Sequence, residues 1–327
     1  MIDKLLNFAV ARRWLLVALA IIAAGIGASM LPRLPVDAVP DITNRQVQIN
    51  VADPALGPVE MEKQVAYPIE TALTGIPGLQ TTRSLSRNGY AQVTAVFEDK
   101  VDIYFARQQV AERMAQAREG LPAGVDPELG PISTGLGEIV MFTVEFENTE
   151  GRGAPRVAGR PGWQPDGSYL TPEGERLSDE ASQVTYLRTV LDWIVRPQLR
   201  QVGGIAGVDA IGGYVKQYGV TPEPARLAAL GLSMTDRGGA PVRVADIATV
   251  GLSREIRTGA ATENGREAVV GTALMLAGEN SRTVAAGTVA KLTEINRALP
   301  PGVEIRVTLD RSKLVDATIE TVSQSLA

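Results

Sequence analysis

Eighteen consecutive uncharged, mainly apolar residues near the amino terminus constrain this chain more than any other feature. The stretch WLLVALAIIAAGIGASML runs from Trp14 to Leu31. As a helix with a rise of about 1.5 Å per residue it is about 27 Å long, close to the hydrocarbon thickness of a bilayer. Lys4, Arg12 and Arg13 precede it, and positive residues favour the cytoplasmic side. The sequence therefore predicts one transmembrane helix, with a cytoplasmic amino terminus and an exported remainder.

A cleaved signal peptide is the competing interpretation of this stretch. Gly27, Ala28 and Ser29 offer the small residues of a cleavage site, but the stretch exceeds the usual apolar region of roughly 7–15 residues. Both interpretations place the bulk of the chain outside the cytoplasm. No later stretch is comparably apolar, so we expect the remainder to fold in water.

The chain contains neither histidine nor cysteine among its 327 residues. Imidazole and thiolate metal ligands, disulfide bonds and histidine-based catalytic sites are therefore excluded. The net charge of −5, from 32 basic and 37 acidic side chains, gives no basic surface of the kind that nucleic acid requires. We expect no nucleic-acid partner, and a divalent ion would have to be bound by carboxylates.

Hydrophobic periodicity predicts a first β-α-β-β-α-β unit. Val47, Ile49 and Val51 alternate with polar residues as in a half-buried strand, and the Asn-Gly pair at 88–89 is typical of a two-residue hairpin turn. Pro68 is expected to kink the first helix. The predicted elements are, in order, a strand at 47–51, a helix at 61–72, strands at 81–87 and 90–97, a helix at 103–117 capped by Asp102, and a strand at 125–132. This order is that of a ferredoxin-like fold.

A second copy of this unit is predicted from Glu138 onwards, with two interruptions. The stretch from Asn148 to Glu180 is rich in glycine, proline and polar residues, and is predicted to be a long surface loop. Residues 212–257 are predicted to be an inserted piece. The copy itself consists of strands at 138–147, 207–211, 267–276 and 303–309 and helices at 184–194 and 281–299, and a weak helix at 312–327 follows it.

Several long strings of this sequence, in a fixed order, resemble one known family. They are LPVDAVPDITNRQVQINV, QVAYPIETALTGIPGL, RSLSRNGYAQVTAVFED, DIYFARQQVAERM, LGPISTGLGEI, RPGWQPDGSYLTPEGERL, YLRTVLDWIVRPQL and RTGAATENGREAVVGTALMLAGENSRTV. The strings are similar to the heavy-metal efflux branch of the resistance-nodulation-division (RND) family, and most similar to its cobalt, zinc and cadmium exporters. Copper and silver pumps are the nearest alternative. The resemblance covers nearly the whole chain.

The resemblance implies an α+β fold in which one transmembrane helix is followed by two ferredoxin-like porter subdomains. It divides the chain into four parts: residues 1–32 as the cytoplasmic amino terminus and first transmembrane helix, 33–133 as the first porter subdomain, 134–204 with 258–327 as the second porter subdomain, and 205–257 as a shortened docking subdomain inserted within the second.

The resemblance further implies the amino-terminal portion of a proton-driven exporter of divalent heavy-metal cations. Such exporters are homotrimers of the bacterial inner membrane that work with a periplasmic adaptor protein and an outer-membrane channel. They are secondary transporters rather than enzymes and need no cofactor, because the metal ion is the substrate and the proton motive force supplies the energy. The amino terminus would be cytoplasmic and the bulk of this chain periplasmic.

The sequence departs from the family pattern in two ways. Family members are much longer, so their proton-carrying residues correspond to positions beyond Ala327, and this portion is not expected to work alone. In addition, the family usually continues after ARLAALGLSMTD through a further helix and strand, whereas here Asp236 is followed directly by Arg237. We expect several dozen docking residues to be missing, and with them the arm that reaches a neighbouring protomer.

Three carboxylates are candidates for contact with metal ions. Glu138, in the string GLGEI, is the best single candidate, because it follows a glycine-rich approach to a strand near the join of the porter subdomains. An ordinary surface glutamate is the alternative, since one carboxylate makes no site. Asp37 and Asp41, on the connector after the apolar stretch, could attract cations electrostatically, or could simply mark the water boundary.

Two other functions remain open at the level of sequence. A singly anchored periplasmic binding or assembly module would need no proton path. A hydrolase with paired carboxylates would need an aromatic-lined cleft, and only 5% of the residues are aromatic. We therefore rank the hydrolase last.

Overall fold

Helix α1, Arg13–Met30, covers nearly all of the predicted apolar stretch. The computed structural model describes residues 11–30, 43–148, 151–229, 243–255 and 259–326. The large apolar side chains of α1 between Trp14 and Ile26 are exposed, and Trp14 is 75% exposed. Within the described ranges, no helix has the length and apolar content needed to cross a membrane. The helix is thus confirmed, and its transmembrane role stays a prediction.

The first unit has the predicted β-α-β-β-α-β order. Its elements are β1 (Gln46–Ala52), α2 (Pro58–Met61, Glu62–Ala66 and Tyr67–Leu73 in succession), β2 (Leu79–Arg87), β3 (Tyr90–Phe97), α3 (Ile103–Ala117) and β4 (Glu128–Leu129). The strands form one antiparallel sheet in the order β2-β3-β1-β4. The ferredoxin-like prediction is confirmed for this unit, although β4 is shorter than predicted.

Local patterns explain most of these elements. Val47, Ile49 and Val51 are buried in the core with at most 3% exposure, as their alternation predicts. The Asp102 side chain accepts hydrogen bonds from the Tyr104 and Phe105 amides and so caps α3. Both local predictions are confirmed.

Pro68 lies inside a helix whose backbone is widened next to the proline. A π-helical turn, Glu62–Ala66, ends two residues before Pro68, and the Tyr67 amide donates back to the Glu62 carbonyl. Proline has no amide hydrogen and crowds the preceding turn of an α-helix. The wider π-turn makes room for that ring, so the proline is absorbed within a continuous helix.

The second unit repeats the sheet order of the first. Its elements are β5 (Glu138–Phe146), α4 (Glu180–Val190, Leu191–Val195 and Arg196–Leu199 in succession), β9 (Ile205–Ile211), β13 (Arg266–Met275), α7 (Ser281–Asn296) and β14 (Val303–Asp310). The strand order is β9-β13-β5-β14, and the short β12 (Ala261–Glu263) also pairs with β13. Helix α4 contains a second π-turn, Leu191–Val195, which ends two residues before Pro197. The two units therefore share both topology and this unusual helix feature.

The prediction of a long surface loop between Asn148 and Glu180 is wrong. Three short strands, β6 (Gly162–Trp163), β7 (Tyr169–Leu170) and β8 (Arg176–Leu177), form a small antiparallel sheet there. Trp163 and Tyr169 are buried, and both rings pack on Phe146 of β5. Apolar burial against β5 thus outweighs the turn-rich local composition.

The inserted piece is built on a two-stranded ribbon of β10 (Lys216–Pro222) and β11 (Ala248–Arg254), with the short helices α5 (Pro224–Ala229) and α6 (Val244–Ile247). Residues 205–211, which the sequence-based division assigns to the docking part, instead form β9 and pair with β13. They belong to the sheet of the second unit because their carbonyl and amide groups are paired there. The predicted final helix is present as α8, Arg311–Leu326.

Candidate functional site

Of the three candidate metal ligands, the structure describes one. Asp37 and Asp41 lie outside the described residues. Glu138 is the first residue of β5 and is exposed. It therefore stands at the start of a strand, as predicted.

A β-bulge sets the direction of Glu138. Ala273 pairs with Val140, but the next residue, Leu274, pairs with Glu138, so Ile139 is an extra residue in β5. Without the bulge, residues 138 and 140 would share one face of the sheet. Ile139 and Val140 are instead both fully buried while Glu138 is exposed. The bulge thus aims the carboxylate away from the core.

Glu138 follows the segment that joins the two units, residues 130–137, which we call the interunit crossover. The Gly130 amide donates to the Gln48 carbonyl of the first unit at 2.8 Å. At the other end, the Met275 amide of the second unit donates to the Gly137 carbonyl at 2.8 Å. Glu138 therefore lies where the chain leaves the crossover for the second sheet.

Glu138 does not belong to a preformed metal cluster in the described part of the chain. No group of three or more Asp, Glu, His or Cys side chains there is arranged to hold a metal ion. A divalent cation normally needs several oxygen ligands. Among the described residues, Glu138 therefore has no ready-made set of acidic partners for a divalent ion.

A cluster of glutamates lies in a cleft of about 600 Å³ on the second unit. Arg306 of β14 bridges Glu145 of β5 and Glu263 of β12, each at 2.9 Å. Glu304 stands directly opposite Glu145 in the β5–β14 ladder. Burial raises the pKa of the Glu145 carboxyl, and the positive charge of Arg306 opposes that rise. Sequence reasoning missed this group because its members come from three distant strands.

A further cavity of about 380 Å³ separates α4 from the inserted ribbon. Trp193 and Leu252 line it and are largely exposed, at 79% and 59%. Lys216 of β10 forms an ion pair with Glu175 at one side of this cavity. The ribbon is thereby tied to the turn before β8.

The described residues thus form two ferredoxin-like units in tandem, and the second unit carries an inserted ribbon. A sequence profile of the AcrB/AcrD/AcrF family matches residues 5–238 and 236–327. The chain belongs to this family.

Relatives within the family are heavy-metal resistance proteins. The nickel-cobalt-cadmium resistance protein NccA of Alcaligenes xylosoxydans xylosoxydans is 48% identical over an alignment of 371 positions that covers 100% of this chain and 34% of NccA. The nickel and cobalt resistance protein CnrA of Cupriavidus metallidurans is 47% identical with the same coverage. The chain thus spans about a third of the length of these relatives.

A crystal structure of a heavy metal efflux pump shares the fold, with a TM-score of 0.77 and 26% identity over 98% of this chain and 34% of that chain. The resemblance that the sequence strings indicated is therefore confirmed.

The comparisons also locate the predicted gap in the inserted piece. The alignment with NccA has 371 positions although this chain has 327 residues, so NccA carries residues that this chain lacks. The two stretches of the family profile meet at residues 236–238. Both observations agree with the break predicted after Asp236.

Proposed function

We propose that this chain forms the amino-terminal, membrane-anchored and periplasmic part of a proton-driven exporter of divalent heavy-metal cations. The observation that carries the proposal is the match of the entire chain to NccA and CnrA at 48% and 47% identity. Both relatives are named for nickel and cobalt, so we place nickel beside the cobalt, zinc and cadmium expected from the sequence. Names that refer to resistance and efflux favour transport over the singly anchored module.

In this proposal α1 crosses the inner membrane and the two units fold in the periplasm. The exposed apolar surface of α1 supports a lipid environment, since exposed apolar surface is costly in water. Arg12 and Arg13 at its start keep the amino terminus in the cytoplasm. The unit of β1–β4 and the unit of β5, β9, β13 and β14 act as two porter subdomains, and the ribbon of β10 and β11 acts as a shortened docking subdomain.

A reporter fusion tests this topology. Alkaline phosphatase, which is active only after export, is fused behind Ala327. We expect activity from the full chain and little from a matched fusion that begins at residue 33. Equal activity of the two fusions, or none from either, would reject α1 as the export signal.

The complete exporter would assemble as a homotrimer with a periplasmic adaptor protein and an outer-membrane channel. Proton-coupling residues would lie outside this chain, and the metal ion is substrate rather than cofactor. Within the chain, we assign Glu138 to the ion route, because the bulge at Ile139 directs its carboxylate away from the core and carboxylates are the strong divalent-ion ligands available. Asp37 and Asp41 are proposed to attract cations near the membrane.

Metal resistance of the complete transporter tests this assignment. Glu138→Gln removes the charge with little change of shape, and we expect lower resistance to nickel, cobalt or zinc at unchanged protein level. Glu119→Gln, at an exposed glutamate of the turn Arg118–Gly120, is the matched control and should leave resistance unchanged. Unchanged resistance in both variants would remove Glu138 from the ion route. A parent transporter that gives no resistance to any of these metals would reject the transport proposal itself.

A further inference from the structure

The interunit crossover is held at both ends by arginine side chains. Arg107 of α3 donates hydrogen bonds to the carbonyl oxygens of Gly130 and Leu129, where the first unit ends. Arg311, the first residue of α8, donates to the Leu136 carbonyl, two residues before Glu138. Each arginine therefore ties the crossover to the unit from which it comes.

Backbone bonds reinforce the second-unit end. The Ala277 amide donates to the Ile132 carbonyl at 3.2 Å, and the Gly137 amide closes a turn onto the Thr134 carbonyl at 2.9 Å. The turn is tight, because a Cβ atom at Gly137 would stand 1.9 Å from the Ser133 hydroxyl oxygen. The backbone that leads into β5 is thus closely confined.

The start of β5 is bordered on both sides by elements of the second unit. Met275 of β13 bonds the Gly137 carbonyl on one side, and Asp310 of β14 pairs with Val140 on the other. Arg311 directly follows Asp310, which brings its guanidinium to the Leu136 carbonyl. A charged guanidinium makes stronger hydrogen bonds than a neutral donor, and its planar shape fixes the direction of the bond.

We propose that Arg311 is a positioning residue for Glu138. By holding the Leu136 carbonyl it fixes the turn that, together with the bulge at Ile139, sets where the Glu138 carboxylate lies. At the other end of the crossover, Arg107 holds the Gly130 carbonyl in the same way. The role of this position in ion transport rests on the proposed function, but the positioning itself does not.

The absence of cysteine from the sequence allows a direct test. Glu138→Cys in the full chain carries a single spin label at the position in question. We expect Arg311→Met to increase label mobility by about two-fold or more, because the crossover loses its tether. Arg311→Lys keeps one charged donor and should restore most of the order. If Arg311→Met does not accumulate, Arg311→Gln, which keeps a neutral donor, should give an intermediate mobility.

Arg282→Met is the matched control. Arg282 of α7 forms an ion pair with Asp316 of α8 at 2.6 Å, so it also holds α8. If Arg311 acts through the crossover, Arg282→Met should leave the mobility of the label at position 138 unchanged. Equal mobility in the Arg311→Met and parent chains, or equal effects of the Arg311 and Arg282 variants, would overturn the proposal.

A double-variant cycle in the complete transporter links positioning to transport. If Arg311 acts through Glu138, adding Arg311→Met to Glu138→Gln should lower cobalt resistance no further than Glu138→Gln does. Additive losses would show that Arg311 acts elsewhere. If Glu138→Gln alone has no effect, the ion-route assignment fails, while the label measurement still decides whether Arg311 positions residue 138.

Discussion

The ring of Phe142 in β5 lies directly over Gly271 in β13. The two residues are opposite each other in the antiparallel ladder. A Cβ atom at Gly271 would come within 2.3 Å of the Phe142 Cζ atom. Phe142 is fully buried, so its ring has no open space into which to move. The glycine is therefore required by the packing of the second unit.

Gly271→Ala should destabilise the chain by about 1–3 kcal/mol, because the added methyl group overpacks the core. Gly251→Ala is the matched control, since Gly251 also lies in a strand and a Cβ there meets nothing within 4 Å. Its effect should stay within about 0.5 kcal/mol. Chemical unfolding of the full chain in mild detergent measures both, and equal midpoints would contradict the prediction.

Tyr169 ties the small sheet of β6–β8 to the second unit. Its hydroxyl donates to the Pro301 carbonyl at 2.8 Å, and the side chain is fully buried. Tyr169→Phe should cost about 1–3 kcal/mol, because the carbonyl loses its partner without gaining water. Tyr218→Phe, at a side chain that is 81% exposed, should cost much less. The same unfolding measurement compares them, and a Tyr169→Phe chain as stable as the parent would show that water replaces the hydroxyl.

Asp192 neutralises two arginines of α4. Its carboxylate lies 2.8 Å from Arg188 and 2.9 Å from Arg196, and its side chain is 16% exposed. Asp192→Ala should cost about 3 kcal/mol, because two half-buried positive charges remain without their partner.

Asp126→Ala is the control for Asp192→Ala. It breaks the pair of Arg118 and Asp126, whose side chains are 52% and 71% exposed, and should cost less than about 1 kcal/mol. A larger loss of unfolding free energy in Asp126→Ala than in Asp192→Ala would refute the prediction.

The stabilisation that the Asp179 cap gives to α4 should be lost at low pH. The Asp179 carboxylate accepts from the Ser182 amide at 2.8 Å, and this bond lowers the pKa of Asp179. Because the folded-state pKa is lowered, the stabilisation is fully present above the unfolded pKa of about 3.9 and is lost as pH falls through the folded value.

Asp179→Asn keeps an acceptor at the cap but removes the charge. We expect the variant to lose less stability than the parent between about pH 5 and pH 2. Asp179→Ala should lose about 1 kcal/mol at neutral pH, because no acceptor remains. Unfolding curves measured across this pH range test both, and identical acid sensitivity of the parent and Asp179→Asn would argue against the cap as the cause.

Much of the regular structure could be predicted because its signals are local. The alternation at Val47, Ile49 and Val51 and the cap at Asp102 each depend on neighbouring residues, and both appear where predicted. The predicted loop between Asn148 and Glu180 failed for the opposite reason. Its strands have two residues each, and they are stabilised by burial of Trp163 and Tyr169 against Phe146 rather than by their own pattern.

The candidate site shows the same division. Periodicity and long matching strings were enough to predict the two β-α-β-β-α-β units, the family and the position of Glu138 at a strand start. The folded chain was needed to reveal that a bulge at Ile139 aims Glu138 outward and that Arg311 holds the preceding turn. The pairing of Glu145 with Arg306 likewise appears only in the folded chain. Such relationships depend on the register between strands far apart in the chain, which no local pattern specifies.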